Sequence, residues 1–246
     1  MSKAGSIVSV PTEDGPMDVF FVGADDNGAA PCALLYMDLF GLREEIFDLA
    51  RAFANDGFSA AVPDLFHRLA VSRFPPANGR GEKPSEAALD ANSATSLEMS
   101  TSDTKALVTW LDSGSAGPRP GSYFAIGYCM GGRHALAAAA AMPDRIRSGM
   151  SVHGGRLVTQ GADSPHTLIA GLKVPFGFVC ARDDPACPAE HCEVLKEAAQ
   201  DATVNVTVKV LDAHHGWSFA ERWAHDPKAV EHVHDLACDF MEGAAN

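Results

Sequence analysis

The sequence predicts an α/β protein, a mostly parallel sheet flanked by helices, and three observations carry that expectation. Short β-branched or aromatic runs alternate with longer helical patterns, the signature of βαβ units. The 246 residues are 46% hydrophobic, enough to bury one large core of this class. No internal repeat and no long linker divides the chain, so residues 1–246 are expected to form a single domain.

Ile7 to Val10 and Met17 to Val22 flank the turn-rich PTEDGP and read as an opening hairpin. CALLY (Cys32 to Tyr36) and FSAAV (Phe58 to Val62) read as buried strands, joined by an amphipathic helix from about Arg43 to Asn55 that Gly57 ends. Residues 72–92, rich in Pro, Gly and Ser, suggest a loop excursion or small cap, too short for a domain. A helix from about Ser100 to Leu111 leads through SGSAGPRPGS to the strand Tyr123 to Tyr128 and the Ala-rich helix RHALAAAAAM. SGMSV and Val174 to Cys180 follow as strands, then a helix from about Ala189 to Gln200, a strand from Val204 to Leu211 and a last helix from about Pro227 to Met241.

Charge narrows the partners. Nineteen basic against thirty-two acidic residues give a net charge of -13, which repels phosphate backbones and anionic lipid. Neither nucleic acid nor a membrane is an expected partner. No apolar run reaches the ~18 residues of a membrane span, and the start, MSKAGSIVSVPTEDG, lacks the apolar core of a signal peptide, so a cytoplasmic location is expected. In that compartment the six cysteines (Cys32, Cys129, Cys180, Cys187, Cys192 and Cys238) are expected to be free thiols. Neither a dinucleotide fingerprint nor a P-loop is present.

The informative stretch is AIGYCMGGRHALAAAA: an apolar strand, a GxCxG turn and a helix. A nucleophile elbow requires this order, because the sharp strand-to-helix turn strains the nucleophile and crowds the residues two before and two after it. Gly127 and Gly131 meet that demand by lacking Cβ atoms. At the helix N-terminus the Cys129 thiol gains positive potential, which favours the thiolate, and the Met130 N–H is placed to donate to an oxyanion.

A thiol needs a base, and the base an orienting acid, which in this architecture follow the nucleophile in the order acid, then histidine. VPFGFVCARDDPACP runs a strand into an acidic turn, offering Asp183 or Asp184. VNVTVKVLDAHHGW runs a strand into His214 and His215. Both lie just past strands, where open α/β sheets keep their sites. Other motifs carry less. The HGG of His153 to Gly155 follows the elbow and reads as a turn or pocket lining, not an oxyanion loop. His232 and His234 point to different helix faces, and Cys187, His191 and Cys192 lack the second spaced pair of a zinc site, so no metal is expected.

Together YMDLFGLR, DGFSAAVPDLFHR, GYCMGGR, the DDPACP turn and HHGWSFAER resemble the dienelactone hydrolases, cysteine members of the α/β-hydrolase superfamily. The resemblance implies an α/β-hydrolase fold without a large lid and a Cys-His-Asp triad. In that family the acid lies four residues before a proline, which selects Asp184, before Pro188; the base precedes Gly and an aromatic, which selects His215, before Gly216 and Trp217. The resemblance also assigns the Leu39 N–H to the oxyanion hole beside that of Met130, and Asp38 to the acidic group near the resting thiol. Arg68 and Arg222 are the candidates for gripping a substrate carboxylate with a two-pronged guanidinium, and Trp217 is placed with them around the substrate.

The expected activity is hydrolysis of a small-molecule lactone or ester through a thioester, with no metal or organic cofactor. The resemblance points to dienelactone (4-carboxymethylenebut-2-en-4-olide), opened to maleylacetate in aromatic-compound degradation by a monomer or small homo-oligomer. A general carboxylesterase of the same family is the alternative. More distant are a class I glutamine amidotransferase, in which His191 and Glu193 would serve the cysteine, and a non-catalytic receptor on the same scaffold.

Overall fold

The computed structural model describes residues 4–24 and 30–243, so the ends of the expected 1–246 domain lie outside the described residues. Eight strands form one sheet in the order β1-β2-β4-β3-β5-β6-β7-β8. The opening hairpin is β1 (Ser6–Thr12) and β2 (Gly15–Val22), antiparallel to each other, with β2 antiparallel to β4 (Ser59–Pro63). From β4 onward every pairing is parallel: β3 (Cys32–Tyr36), β5 (Tyr123–Tyr128), β6 (Ile146–Val152), β7 (Phe176–Asp183) and β8 (Val206–His214). This is the α/β-hydrolase arrangement. β3 and β5 are buried at every position, as strands covered on both faces must be.

Helices cover the two faces. α1 (Glu44–Asn55) buries Ile46, Phe47, Ala50, Phe53 and Ala54 along one stripe, and Gly57 at φ +92° turns the chain back into β4. It shares its face with α6 (Pro227–Gly243), whose His234 reaches Asp56 at 2.6 Å. The other face carries α3 (Leu97–Asp112), α4 (Gly131–Ala141) and α5 (Ala189–Gln200). Two elements differ from the sequence expectation. The 72–92 excursion is irregular only as far as Pro84; α2 (Glu86–Ala94) follows, with the Ser85 hydroxyl accepting the Ala88 N–H. A 3₁₀ stretch, Pro165–Gly171, joins β6 to β7 where no element was expected, because such short helices have no amphipathic period to read. Among the described residues no helix is long and apolar enough to cross a membrane.

Candidate active site

The site lies at the carboxyl edge of the sheet. There β3 leads into Leu39, β5 into Cys129, β6 into His153, and β7 and β8 into Asp184 and His215. Cys129 has φ +52°, an uncommon conformation for a side-chain-bearing residue, and the surroundings enforce it. Its N–H donates to Val152 O at 3.1 Å, while its carbonyl accepts from Gly155 N at 3.0 Å and Gly132 N at 3.1 Å. A Cβ at Gly127 would land on the Gly131 carbonyl, and one at Gly131 on the Tyr36 carbonyl. The glycines thus admit both the turn itself and its close approach to β3.

The elbow presents the Cys129 sulfur 3.0 Å from Nε2 of His215. On the other side of the ring, Nδ1–H donates to Asp184 Oδ2 at 2.7 Å, and Asp184 Oδ1 accepts the Ala186 N–H at 2.7 Å. Because β7 and β8 are neighbours with Asp183 opposite His214, the next residue of each strand falls into contact. That register explains why Asp184 and His215 meet, while Asp183 and His214 form an outer pair at 3.7 Å. Burial favours the neutral His215 ring, but the Cys129 sulfur and the Asp184 carboxylate together raise it well above the usual imidazole range.

β6 separates β5 from β7, and the residue after it, His153, fills the gap. Its ring is fully buried, edge-on to His215 at 5.1 Å and to Trp217 at 4.7 Å, with Nε2 3.1 Å from the Ser218 hydroxyl. Burial pushes it well below the usual imidazole range, so it stays neutral. His153 therefore backs the base and does not line the cavity.

A cavity of about 540 Å³ opens above these groups and is lined by Leu39, Met130, Cys129 and His215, among others. Leu39 and Met130 follow the adjacent strands β3 and β5, and among the described residues neither amide donates to another protein group. Arg222 lines the cavity, but its Nη2 donates to Asp38 Oδ2 at 3.2 Å and its Nη1 to Ala77 O at 3.1 Å. Its charge is largely spent on Asp38.

Three expected site residues lie elsewhere. Arg68 grips Asp103 with two bonds of 2.7 Å and Asp14 with a third, on the α3 side of the molecule and away from the cavity. Asp38 is fully buried, and its hydrogen bonds go to Arg43, Arg222 and the Phe40 N–H, none to Cys129. Trp217 is also fully buried, packed behind His215 against His153 and absent from the cavity wall. The amidotransferase pair fails on position: His191 and Glu193 ride on α5, outside the cavity.

Two cavity arginines escaped the sequence reading. Arg133, buried on the first turn of α4, donates to Asn92 Oδ1 at 2.7 Å, Asn92 O at 3.2 Å and Met130 O at 3.4 Å, with no carboxylate in ion-pair reach among the described residues. Burial, with Arg156 assisting and the Cys129 sulfur opposing, holds it down to about 10. Arg156, exposed and at φ +55°, lines the same wall. A cation in a helix's first turn opposes the dipole, and that local misfit was the available signal for Arg133.

Residues 17–245 match the family described as the dienelactone hydrolase family. A "Putative carboxymethylenebutenolidase" of Salmonella typhi is 23% identical over 224 residues, spanning 87% of this chain and 78% of the relative. Among solved structures, a "Putative Dienelactone Hydrolase" from Klebsiella pneumoniae superposes with a TM-score of 0.85 at 17% identity, covering 98% of this chain and 99% of its own. A dienelactone hydrolase-like promiscuous phosphotriesterase from metagenomic libraries superposes at 0.74 with 21% identity, covering 98% and 99%. At these identities the structural likeness speaks for the fold alone.

Proposed function

The chain belongs to the dienelactone hydrolase family, and on that premise we propose that it is a cysteine hydrolase of carboxylated lactones, with dienelactone opened to maleylacetate as the leading reaction. The observation that carries the reading is the unbroken chain Cys129–His215–Asp184, at 3.0 and 2.7 Å, on the wall of the cavity. His215 takes the Cys129 proton and Asp184 holds the imidazolium that results. The thiolate attacks the carbonyl, and the unengaged N–H groups of Leu39 and Met130 receive the oxyanion. Collapse yields a thioester; the ring oxygen of a lactone leaves with the proton held by His215 but stays tethered in the same acyl group. Water, deprotonated by His215, then attacks the thioester and frees the thiol.

The carboxylate preference rests on Arg133, a buried guanidinium of this cavity that has no acid partner among the described residues, with the exposed Arg156, its guanidinium bonded only to the Ser93 hydroxyl at 3.4 Å among those residues, beside it at the rim. A general esterase is the second reading, favoured by the apolar mouth formed by Leu89 and Trp223, 45% and 43% exposed. One kinetic comparison tests both: dienelactone isomers, neutral lactones and p-nitrophenyl acetate with the wild type and Cys129→Ala. Carboxylated lactones are expected to lead, and a folded Cys129→Ala to lose turnover on all of them. Equal kcat/KM across the substrates assigns a general esterase. Turnover by Cys129→Ala at the wild-type rate refutes the cysteine mechanism.

A further inference from the structure

Beneath the acid turn, on the α5 side, three thiols that the hydrolytic site does not use converge. Cys180 lies near the end of β7, Cys187 three residues after Asp184, and Cys192 on the first turns of α5. All three are buried, exposed by 1%, 1% and 3%, and their sulfurs lie within 4.8 Å of one another. Cys187 and Cys192 are 3.9 Å apart, nearly twice the ~2.05 Å of a disulfide, so they are separate thiols. Among the described residues no His, Asp or Glu joins this group. His191, which the sequence put beside Cys187 and Cys192, is replaced in the cluster by Cys180 from the neighbouring strand.

The spacing has a chemical meaning. A metal–thiolate bond of about 2.3 Å places three sulfurs around one ion at the corners of a triangle with edges of about 4.0 Å. The Cys187–Cys192 separation already equals that edge. Structural zinc closes its shell with four ligands, whereas an all-sulfur set of three suits a softer ion. We propose that Cys180, Cys187 and Cys192 form a three-thiolate site for a soft monovalent cation of the Cu(I) type, separate from the Cys129 centre.

Binding exchanges S–H for S–metal bonds, and the displaced protons pass to solvent with no change of oxidation state. The surroundings favour that exchange. Lys196 sits one turn beyond Cys192 on α5. The N-terminal end of α5 adds its dipole.

The test uses full-length protein carrying Cys129→Ser and Cys238→Ser. These remove the elbow thiol, which pairs with His215, and Cys238, whose sulfur lies 3.7 Å from His234. Cu(I) is titrated anaerobically against bicinchoninate, and X-ray absorption reads its shell. One equivalent with three sulfurs at about 2.3 Å is expected. Adding Cys187→Ser or, separately, Cys192→Ser should weaken binding more than the roughly 100-fold that loss of an outer-shell partner costs, with circular dichroism checking each fold. Affinity unchanged in either folded variant, or fewer than three sulfurs in the parent, overturns the proposal. Should both added variants unfold, the parent's sulfur count decides alone.

Discussion

Replacing Arg133 with methionine separates what this cation does for the substrate from what it costs the fold. Burial holds the guanidinium at about 10 against an ordinary 12.5, so the folded state disfavours its charge by roughly 3 kcal/mol. That penalty is fully present at pH 7, below both values, and a side chain of similar length without charge removes it. Against this stands the loss of the bonds to Asn92, whose carbonyl oxygens lose their donor at a cost of about 1–3 kcal/mol. The net lies between about zero and 2 kcal/mol in favour of the variant. For a chain of this size that leaves Tm unchanged or raised by up to about 8 °C.

Activity should move the other way. A charge-assisted hydrogen bond to a carboxylate contributes about 1.5–3 kcal/mol. Its removal lowers kcat/KM for a carboxylated lactone by roughly 10- to 150-fold and leaves an uncharged aryl acetate largely unaffected. Differential scanning calorimetry gives the first quantity and the ratio of the two specificity constants the second. An equal loss on both substrates refutes the carboxylate role. A Tm lowered by several degrees with discrimination intact assigns Arg133 to the fold.

Three further perturbations are decided by the same geometry. Gly127→Ala drives a Cβ into the Gly131 carbonyl, backbone against backbone, and should cost at least the roughly 1–3 kcal/mol of an overpacked core while slowing Cys129 alkylation by iodoacetamide, read by calorimetry and mass spectrometry. Arg68→Met leaves Asp103, 1% exposed, with His67 alone and should cost about 3–5 kcal/mol with kcat/KM unchanged. Burial opposes the Asp103 carboxylate, but His67 and Arg68 still hold it below its ordinary 3.8; the stabilisation is present above that value and lost on acidification, so denaturation should show a smaller deficit at pH 3 than at pH 7. Asp184→Asn should lower kcat on the order of 10⁴-fold by freeing the wrong His215 tautomer. Because His215 is raised, its stabilising charge is fully present below the ordinary 6.5 and lost as pH rises through the raised value, so the variant's Tm deficit should shrink with increasing pH.

The succession of strands and helices along the chain and the elbow were legible because they depend on local rules. A GxCxG between an apolar strand and a helix has one steric solution, and the clash waiting at Gly127 is what that rule describes. The pairing of Asp184 with His215 over the neighbouring Asp183 and His214 was not legible from spacing alone; it follows from the β7–β8 register, a long-range fact, and the family pattern had to stand in for it. The arginines show the limit most sharply. Arg68 follows a strand of the active-site sheet and looked available, yet its partners Asp14 and Asp103 come from 54 and 35 residues away. Arg133 sits in a sequence that reads as plain helix, and only the placement of α2 against α4 gives it Asn92 and a cavity. Cation availability is set by which acids fold nearby, and that information is non-local.

Asp38 shows how a buried carboxylate braces a turn. An aspartate is short enough to turn onto the amide two residues on, and Asp38 Oδ1 accepts the Phe40 N–H at 3.0 Å. The Asp38 carbonyl takes the Gly41 N–H at 3.4 Å, and Gly41, at φ +83°, lies against the Ser72 carbonyl where a Cβ would clash. Arg43 clamps the outer side of the carboxylate with bonds of 2.6 and 2.9 Å, and Arg222 joins at 3.2 Å. The residue between these anchors is Leu39, whose N–H makes no bond among the described residues and which shares the cavity wall with Cys129. The acid expected to hold the resting thiol instead braces the turn that carries the candidate oxyanion donor. With Asp38 occupied elsewhere, the Cys129 sulfur rests directly on His215, so the proton transfer proposed to open the reaction needs no prior movement of the thiol.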